Sequence, residues 1–393
     1  MRNQTAEQGP PGRPAFVSGP RQEVERWEWR RGDSDLRAGL SSFLSAHGVN
    51  DHFVDSLGAT HAQTGADTPT VGVLLGAFAC SLLAGWPAGA ASPVPAVPDV
   101  VAVAYRPAAR SSAGSGPATG PVGTGEWRTT WTDAEHAAAV QTVREAISRG
   151  ELYQASVVGH RQAAHRERPL DLARAVAGLP GATYAGVLSG AGWAVGSASP
   201  EQLVRVSGGR ITTVPVKGTR VVAPGSDAEL RASEKDRAEH VMIVDLERND
   251  LARVARTGSV VVERLYDLEQ WAGLWHAGSL VAADLRAGVG PMEVLAALAP
   301  GGSVTGAPKQ AAAALLVDLE PVGRGPSMGA FGTLWPGGMD LGLSIRTVAA
   351  DEDSVHLWAG GGITWGSDPD QEVAEAHDKA RPLLARLGAP TRS

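Results

Sequence analysis

Apolar residues recur at helical spacing in several segments of the chain. Val140, Val143 and Ile147 share one face of a predicted helix, which begins near Thr132 or Asp133 because both are good N-caps. The same periodicity, read with capping residues and prolines, predicts further helices over residues 236–255, 291–298, 308–319 and 367–387.

Strands are predicted between these helices, over residues 152–158, 187–196 and 211–216. Beyond them, Leu341, Leu343 and Ile345 alternate with smaller or polar residues, which predicts a half-buried strand with Arg346 on its polar face. The strands do not alternate with helices in a regular βαβ order. This pattern indicates an α+β protein with antiparallel or mixed sheets.

Length and composition suit a folded protein of more than one region. The chain has 393 residues, of which 43% are apolar, enough to bury a sizeable core. Residues 1–20 are polar and rich in proline and glycine, and they predict a disordered tail. A first globular region is expected over 21–106, a flexible Gly/Pro/Ser-rich segment over 107–125, and a region dense in motifs over 126–393.

Charge and cysteine content exclude several classes of function. A net charge of −7 is unlike the basic surface of a nucleic-acid-binding protein. The single cysteine, Cys80, leaves no partner for an internal disulfide or a cysteine-based zinc site, and it suits the cytosol. The uncharged run at residues 71–86 is shorter than the ~20 residues of a membrane span, so it predicts a buried strand and helix.

Two pairs of acids lie at helical spacing and are candidates for a metal site. Asp236 and Glu239 share one helix face, and Glu372 and Glu375 share another. If the two faces meet across a cleft, their carboxylates provide the oxygen ligands that Mg²⁺ prefers. The alternative is that both pairs are solvated helix faces.

Single residues add further candidates. Lys217 ends a predicted strand, and its amine becomes a nucleophile or base if that strand end is buried. Glu201 lies in a Ser-Pro-Glu turn that could direct a carboxyl group into a pocket as a general acid. From these local patterns alone, the commoner alternative for each is an ordinary surface position. Glycine-rich turns at 300–309 and 359–364 are candidate anion sites.

Taken in order, the motifs of residues 132–387 resemble the chorismate-utilising enzymes. This family includes component I of anthranilate synthase and of aminodeoxychorismate synthase, together with the isochorismate and salicylate synthases. The resemblance covers about two thirds of the chain, and the matching stretches are GELYQASVV, SASPEQL, VPVKGTR, EKDRAEHVMIVDLERNDLARVARTGSV, PGGSVTGAPK, GAFGTLWPGGMDLGLSIRT and GGGITWGSDPDQEVAEAHDKA. It implies two β-sheets packed face to face with helices on the outside, and an N-terminal region that shares in this sandwich.

The resemblance also implies roles for individual residues. Mg²⁺ is expected at Glu239 and Glu375, with Asp236 and Glu372 behind them. Glu201 is expected to protonate the departing 4-hydroxyl group of chorismate. His276 is expected near the ring of the substrate, as a further catalytic residue. The residues expected to bind the substrate are Gly218, Thr219, Thr305, Gly306, Arg346, Gly360, Gly361, Gly362 and Lys379.

Within the family, Gln154, Lys217, Thr305 and Gly361 favour aminodeoxychorismate synthase component I. Gln154 replaces the lysine that activates water in isochorismate and salicylate synthases, and Lys217 replaces the alanine that is usual in anthranilate synthases. The implied reaction converts chorismate and ammonia into 4-amino-4-deoxychorismate through a covalent bond to Lys217. Ammonia is expected from a separate glutamine amidotransferase subunit. The product is expected to be a precursor in the biosynthesis of p-aminobenzoate and folate, or of an antibiotic.

Other possibilities stay open at this point. They are anthranilate synthase component I, a 2-amino-2-deoxyisochorismate synthase, and a non-catalytic chorismate-binding paralogue. Ser327 and Trp365 depart from the family pattern near the expected pocket, since a tyrosine and a small or apolar residue are more usual there.

Overall fold

A computed structural model describes residues 21–49, 51–54, 70–107, 122–271 and 274–389. The tail expected over 1–20 and most of the flexible segment expected over 107–125 lie outside these ranges. The strands are β1 (Arg21–Trp29), β2 (Thr70–Leu75), β3 (Val100–Pro107), β4 (Arg128–Thr129), β5 (Gln154–Ala164), β6 (Tyr184–Gly190), β7 (Trp193–Ser199), β8 (Gln202–Ser207), β9 (Arg210–Val214), β10 (Val216–Val221), β11 (Val261–Trp271), β12 (Leu274–Asp284), β13 (Gly306–Ala307), β14 (Ala330–Trp335), β15 (Gly338–Leu343), β16 (Thr347–Ala350) and β17 (Ser354–Ile363). The helices are α1 (Leu36–Ala46), α2 (Ala77–Ala84), α3 (Asp133–Ser148), α4 (Pro169–Ala177), α5 (Ser226–Ala232), α6 (Glu234–Ala252), α7 (Pro291–Leu298), α8 (Lys309–Leu319) and α9 (Pro369–Arg386).

Two antiparallel sheets organise the described chain. The larger has the strand order β1-β3-β2-β14-β15-β8-β9-β12-β10, with β11 also paired to β12. The smaller has the order β13-β5-β17-β16-β7-β6, with β4 also paired to β5. The N-terminal strands β1 to β3 extend the larger sheet through β2 and β14, so the region around 21–106 is built into the sandwich.

The main core lies between the two sheets. Phe331 and Leu341 of the larger sheet belong to the same buried cluster as Val195 and Trp358 of the smaller one. A second cluster on the outer face of the smaller sheet includes residues of α4 and α9, and a third joins α3 and α8 to β5. These contacts confirm the expected α+β fold of two packed sheets with helices outside.

Local capping explains where several helices begin. Thr132 accepts a hydrogen bond from the backbone N–H of Glu135, whose side chain accepts one from the Thr132 N–H, which forms a capping box at the start of α3. Asp368 caps α9 through the N–H of Gln371. The predicted bounds of α7 agree with the structure, and those of α3, α6, α8 and α9 agree within a few residues.

Three sequence predictions need correction. The single strand expected over 187–196 is two strands, because Gly192 adopts a left-handed φ of 74° and turns β6 into β7. The strand around Leu341 is buried on both faces, since the ring of Tyr184 covers Gly342. Arg346 lies beyond β15 with a φ of 48°, and not on a polar face of that strand.

The apolar run at residues 71–86 forms most of β2 and all of α2, as predicted. Every residue of β2 is buried, and Ala79 and Cys80 of α2 are fully buried in the main core. Among the described residues, no helix is long and apolar enough to cross a membrane.

Candidate active site

The first part of the site is the turn that carries Glu201, between β7 and β8. Glu201 is 8% exposed, and its carboxylate accepts hydrogen bonds from the Ser303 hydroxyl and the Val216 backbone N–H. Burial raises the pKa of Glu201, although the positive charge of Lys217 opposes that rise. A buried carboxyl group of this kind can hold a proton and deliver it to a leaving oxygen.

Lys217 follows Val216 at the start of β10, and its side chain lies in the same part of the site as Glu201. Its Nζ lies 3.4 Å from the position that a Cβ on Gly362 would take. Burial lowers the pKa of Lys217, and the negative charge of Glu201 counteracts this effect. A desolvated lysine amine gains the unprotonated form that a nucleophile needs.

Glycines of β17 line the opposite wall and allow this close approach. A Cβ on Gly360 would lie 1.9 Å from the carbonyl oxygen of Val157, so β17 could not stay paired with β5 there. A Cβ on Gly361 would lie 3.1 Å from Glu372 Oε2 and 3.5 Å from Lys379 Nζ. The glycine run therefore brings the backbone up to charged side chains of α9.

Lys379 supplies a second positive charge at this wall. Its Nζ donates to the Gly360 carbonyl oxygen at 2.9 Å and pairs with Glu375 Oε1 at 2.6 Å. The charge of Lys379 also lowers the pKa values of Lys217 and Glu201. Lys379 and Glu375 are both exposed, so the site opens to solvent beside them, and this opening is the mouth of the site.

The candidate metal ligands lie on the two helices that border the mouth. Glu239 of α6 accepts from Thr364 Oγ1 at 3.3 Å, and Glu372 of α9 accepts from Ser367 Oγ at 2.6 Å. Asp236 instead pairs with Arg220 at 2.8 Å. Among the described residues, no three His, Cys, Asp or Glu side chains converge closely enough to hold a metal.

The donor chemistry at this mouth fits a hard cation. Across the ranges that the structure describes, the donors do not form a preformed cluster of three. They are, however, carboxylates of α6 and α9, and Mg²⁺ is usually bound by one or two carboxylates while it keeps several of its waters. Glu239 and Glu375 both raise the pKa of Lys217, so both helices direct negative charge toward the site.

The remaining predicted residues lie around these groups. His276 of β12 and Arg346 both have lowered pKa values, mainly because of burial, and Arg346 contributes to the shift at His276. Gly218 has a left-handed φ of 79°, which lets the chain turn beside Asp236. Thr305 is buried, and its Oγ1 makes no hydrogen bond within the described residues. Gly306 pairs with β5, and the side chain of Thr219 lies outside what is described.

Gln154 is placed at the centre of the site. It is 1% exposed, and its Nε2 lies 2.4 Å from the position of a Cβ on Gly362. Neither polar atom of its amide has a hydrogen-bond partner in the described part of the chain. A buried amide without a partner is costly, which suits a group that meets a ligand.

Sequence reasoning missed the hydroxyl groups that hold the acids. The hydroxyl groups of Ser303, Thr364 and Ser367 each donate to a carboxylate of the site, and each residue lies inside a motif quoted above. Of the two unusual positions, Ser327 is fully buried and donates to the Ser344 carbonyl oxygen, whereas Trp365 is 61% exposed beside Thr364.

Much of this chain is similar in sequence to known proteins. Anthranilate synthase component 1 of Streptomyces coelicolor is 38% identical over 273 residues, covering 67% of this chain and 53% of the relative. The protein of the same name from Thermus thermophilus is 37% identical over 253 residues, covering 63% and 55%. The chain thus spans about half the length of the curated relatives it matches.

Solved structures show the same fold. Anthranilate synthase component I from Streptococcus pneumoniae matches with a TM-score of 0.77 at 23% identity, covering 92% of this chain and 90% of that one. MenF, the menaquinone-specific isochorismate synthase of Escherichia coli, matches with a TM-score of 0.63 at 18% identity, covering 94% and 95%. Residues 100–385 match the family model described as chorismate binding enzyme, and the chain belongs to that family.

Proposed function

We propose that this protein is the synthase component of aminodeoxychorismate synthase, which converts chorismate and ammonia into 4-amino-4-deoxychorismate. The observation that carries the proposal is the partly buried amine of Lys217, placed against the glycine wall with Glu201 as its counter-charge. A lysine at this position offers a nucleophile inside the substrate pocket.

The proposed reaction consists of two displacements. Lys217 Nζ attacks C2 of chorismate, both conjugated ring double bonds shift (C1=C2 to C1=C6 and C5=C6 to C4=C5), and the C4–O bond breaks as protonated Glu201 gives its proton to the leaving hydroxyl, which departs as water. Ammonia then attacks C4, both ring double bonds return to their original positions, and the C2–N bond breaks so that Lys217 leaves as the free amine. The new C4 ammonium group returns one proton to Glu201, so the net change is chorismate plus ammonia to product plus water.

Other residues bind and orient the substrate in this proposal. Arg346 and the main chain at Gly360–Gly362 are proposed to bind its carboxylates. Glu239 and Glu375 are proposed to hold Mg²⁺, with Asp236 and Glu372 behind them, and Lys379 balances the charge at the mouth. Bound Mg²⁺ would neutralise substrate charge.

Ammonia is proposed to come from a separate glutamine amidotransferase or from ammonium salts. Glutamine hydrolysis by a cysteine nucleophile requires an accessible thiolate. Cys80 is fully buried in the main core, and burial raises the pKa of its thiol to about 12. This sequence therefore offers no suitable cysteine for that step.

Anthranilate synthesis is the second candidate, and a specific observation favours it. The relatives reported above at 37% and 38% identity carry the name anthranilate synthase component 1. In that reaction the amine would be added at C2, the atom that Lys217 attacks in the first proposal. The two candidates therefore predict different products from the same substrate.

Product analysis separates them. The purified protein is incubated with chorismate, Mg²⁺ and ammonium salt, with and without added aminodeoxychorismate lyase, and the products are identified by chromatography and mass spectrometry. Formation of p-aminobenzoate only when lyase is present supports amination at C4. Anthranilate formed without lyase rejects the first proposal in favour of the second, and unchanged chorismate rejects both.

A further inference from the structure

Lys309, at the start of α8, is a buried cation that no step above uses. It is 4% exposed, and its Nζ donates to the carbonyl oxygens of Ala297 at 3.2 Å, Leu298 at 3.1 Å and Pro300 at 3.1 Å. Two of these carbonyls belong to the last turn of α7, where backbone acceptors have no partner within the helix. The ammonium group therefore caps α7 and holds the segment that leaves it.

The ammonium group also has a buried counter-charge. Asp250 Oδ2 of α6 lies 2.5 Å from Lys309 Nζ, and both side chains are about as buried as the core. The ring of Trp86, from the N-terminal part of the chain, lies 5.1 Å from the same nitrogen. Three helices and the N-terminal region thus meet at one buried charge.

The segment that Lys309 holds, residues 299–305, is tightly confined along its length. Residues 302–304 form a 3₁₀ turn against α6, where a Cβ on Gly302 would lie 2.4 Å from Leu246 Cδ2. Arg324 Nη1 donates to the Val304 carbonyl oxygen at 2.6 Å. The buried Lys309 and the half-buried Arg324 therefore hold the two ends of the segment, and little freedom is left between them.

The middle of this segment contacts the candidate acid. The hydroxyl group of Ser303 donates to the carboxylate of Glu201, and this bond favours the charged form of Glu201. The charged groups that face Glu201 from the surrounding elements are Lys217 of β10, Lys379 of α9, Arg346 after β15 and Glu247 of α6. Ser303 is thus one of several groups that set how readily Glu201 holds its proton.

We propose that Lys309 is a positioning residue for the general acid. Its three hydrogen bonds to the carbonyl oxygens of Ala297, Leu298 and Pro300 form a clamp, and this clamp keeps the Ser303 hydroxyl on Glu201. The inference rests on the proposed function in one respect, that Glu201 acts as the acid. Lys309 itself does not contact the substrate site. Its effect reaches the reaction through the backbone between Pro300 and Ser303.

The test compares variants of the whole protein. Lys309→Met combined with Asp250→Asn removes the clamp without leaving a buried charge unpaired. Ser303→Ala removes the hydroxyl alone. Leu316→Ala removes a buried side chain from the same helix and serves as the control for lost packing. Asp250→Asn alone keeps the three carbonyl contacts of Lys309.

The first measurement is the pH dependence of kcat for chorismate with ammonium and Mg²⁺. Activity falls at high pH as Glu201 loses its proton, and loss of the Ser303 bond should move that fall upward by about one pH unit. The clamp variant and Ser303→Ala should show the same shift, and combining them should add nothing. Leu316→Ala and Asp250→Asn should keep the wild-type profile. A clamp variant that keeps the wild-type profile, or shifts that add, would overturn the inference.

The second measurement needs no turnover. Hydrogen exchange of the amides of residues 299–305 should be at least about tenfold faster in the clamp variant than in Leu316→Ala. Equal exchange in the two variants would overturn the clamp. Because this result is independent of the reaction, failure of the inference can be told apart from failure of the proposed function.

Discussion

A buried pair of histidines should make the stability of this protein sensitive to mild acid. His160 Nε2 lies 3.0 Å from His356 Nδ1, and the chain of hydrogen bonds continues to Thr130 on one side and Ser354 on the other. Burial lowers the pKa of His160 to about 3 and that of His356 to about 4. Both rings are therefore neutral in the folded protein at any pH above about 5.

The sign and size of the effect follow from proton linkage. The unfolded chain binds protons at these histidines below about pH 6.5, whereas the folded protein does not. Their contribution to the free energy of unfolding is therefore fully present above about pH 6.5 and is lost as the pH falls toward 4. At about pH 5.5 each histidine lowers the free energy of unfolding by about 1.4 kcal/mol. The pair together should lower the free energy of unfolding by about 3 kcal/mol.

Urea unfolding at about pH 7.5 and about pH 5.5 measures this difference. The double variant His160→Gln/His356→Gln should lose about 3 kcal/mol less between the two pH values than the wild type does. Other histidines contribute equally to both proteins, and His52→Gln, at an exposed position, serves as the control. Equal losses in the wild type and the double variant would refute the reasoning.

Three further predictions concern the site itself. Glu201→Gln should lower kcat for chorismate by about 10²- to 10⁴-fold with an unchanged circular dichroism spectrum, and wild-type activity would exclude it as the acid. Gly360→Ala should lower the melting temperature, since the added Cβ meets the Val157 carbonyl oxygen at 1.9 Å, whereas Gly366→Ala, with open space around it, should not; equal melting temperatures would contradict this packing. Glu375→Gln should raise the Mg²⁺ concentration needed for half-maximal activity by about tenfold, and an unchanged Mg²⁺ titration would remove it from the proposed metal site.

Much of the fold follows from local signals in the sequence. The helix over Asp133–Ser148 could be predicted because its cap, Thr132, and its apolar face lie within the same short segment. The failure at Leu341 has the opposite cause. Its alternating pattern suggested one exposed face, but Tyr184, more than 150 residues away in the chain, covers that face in the structure. Burial by distant elements cannot be read from local periodicity.

The candidate site, like the fold, could be predicted only in part from local signals in the sequence. Spacing alone left Lys217 and Glu201 as ordinary surface candidates, and the order of motifs along the chain was needed to select them. The structure places Lys217 against Gly362 and brings Glu201 close enough to act on its charge. The hydroxyl of Ser303 and the clamp of Lys309 depend on contacts between separate elements, so neither had a signal in the sequence beyond membership of the same motif.

The central claim is that Lys217 forms a covalent bond to the substrate during amination at C4. The most direct measurement mixes the protein with chorismate and Mg²⁺ without ammonia, followed by peptide mass spectrometry, with Lys217→Ala as the matched control. We expect an adduct of chorismate less one water on Lys217 of the wild type, and added ammonium salt should release it as 4-amino-4-deoxychorismate. Turnover to anthranilate by both proteins, with no adduct on Lys217, would contradict it.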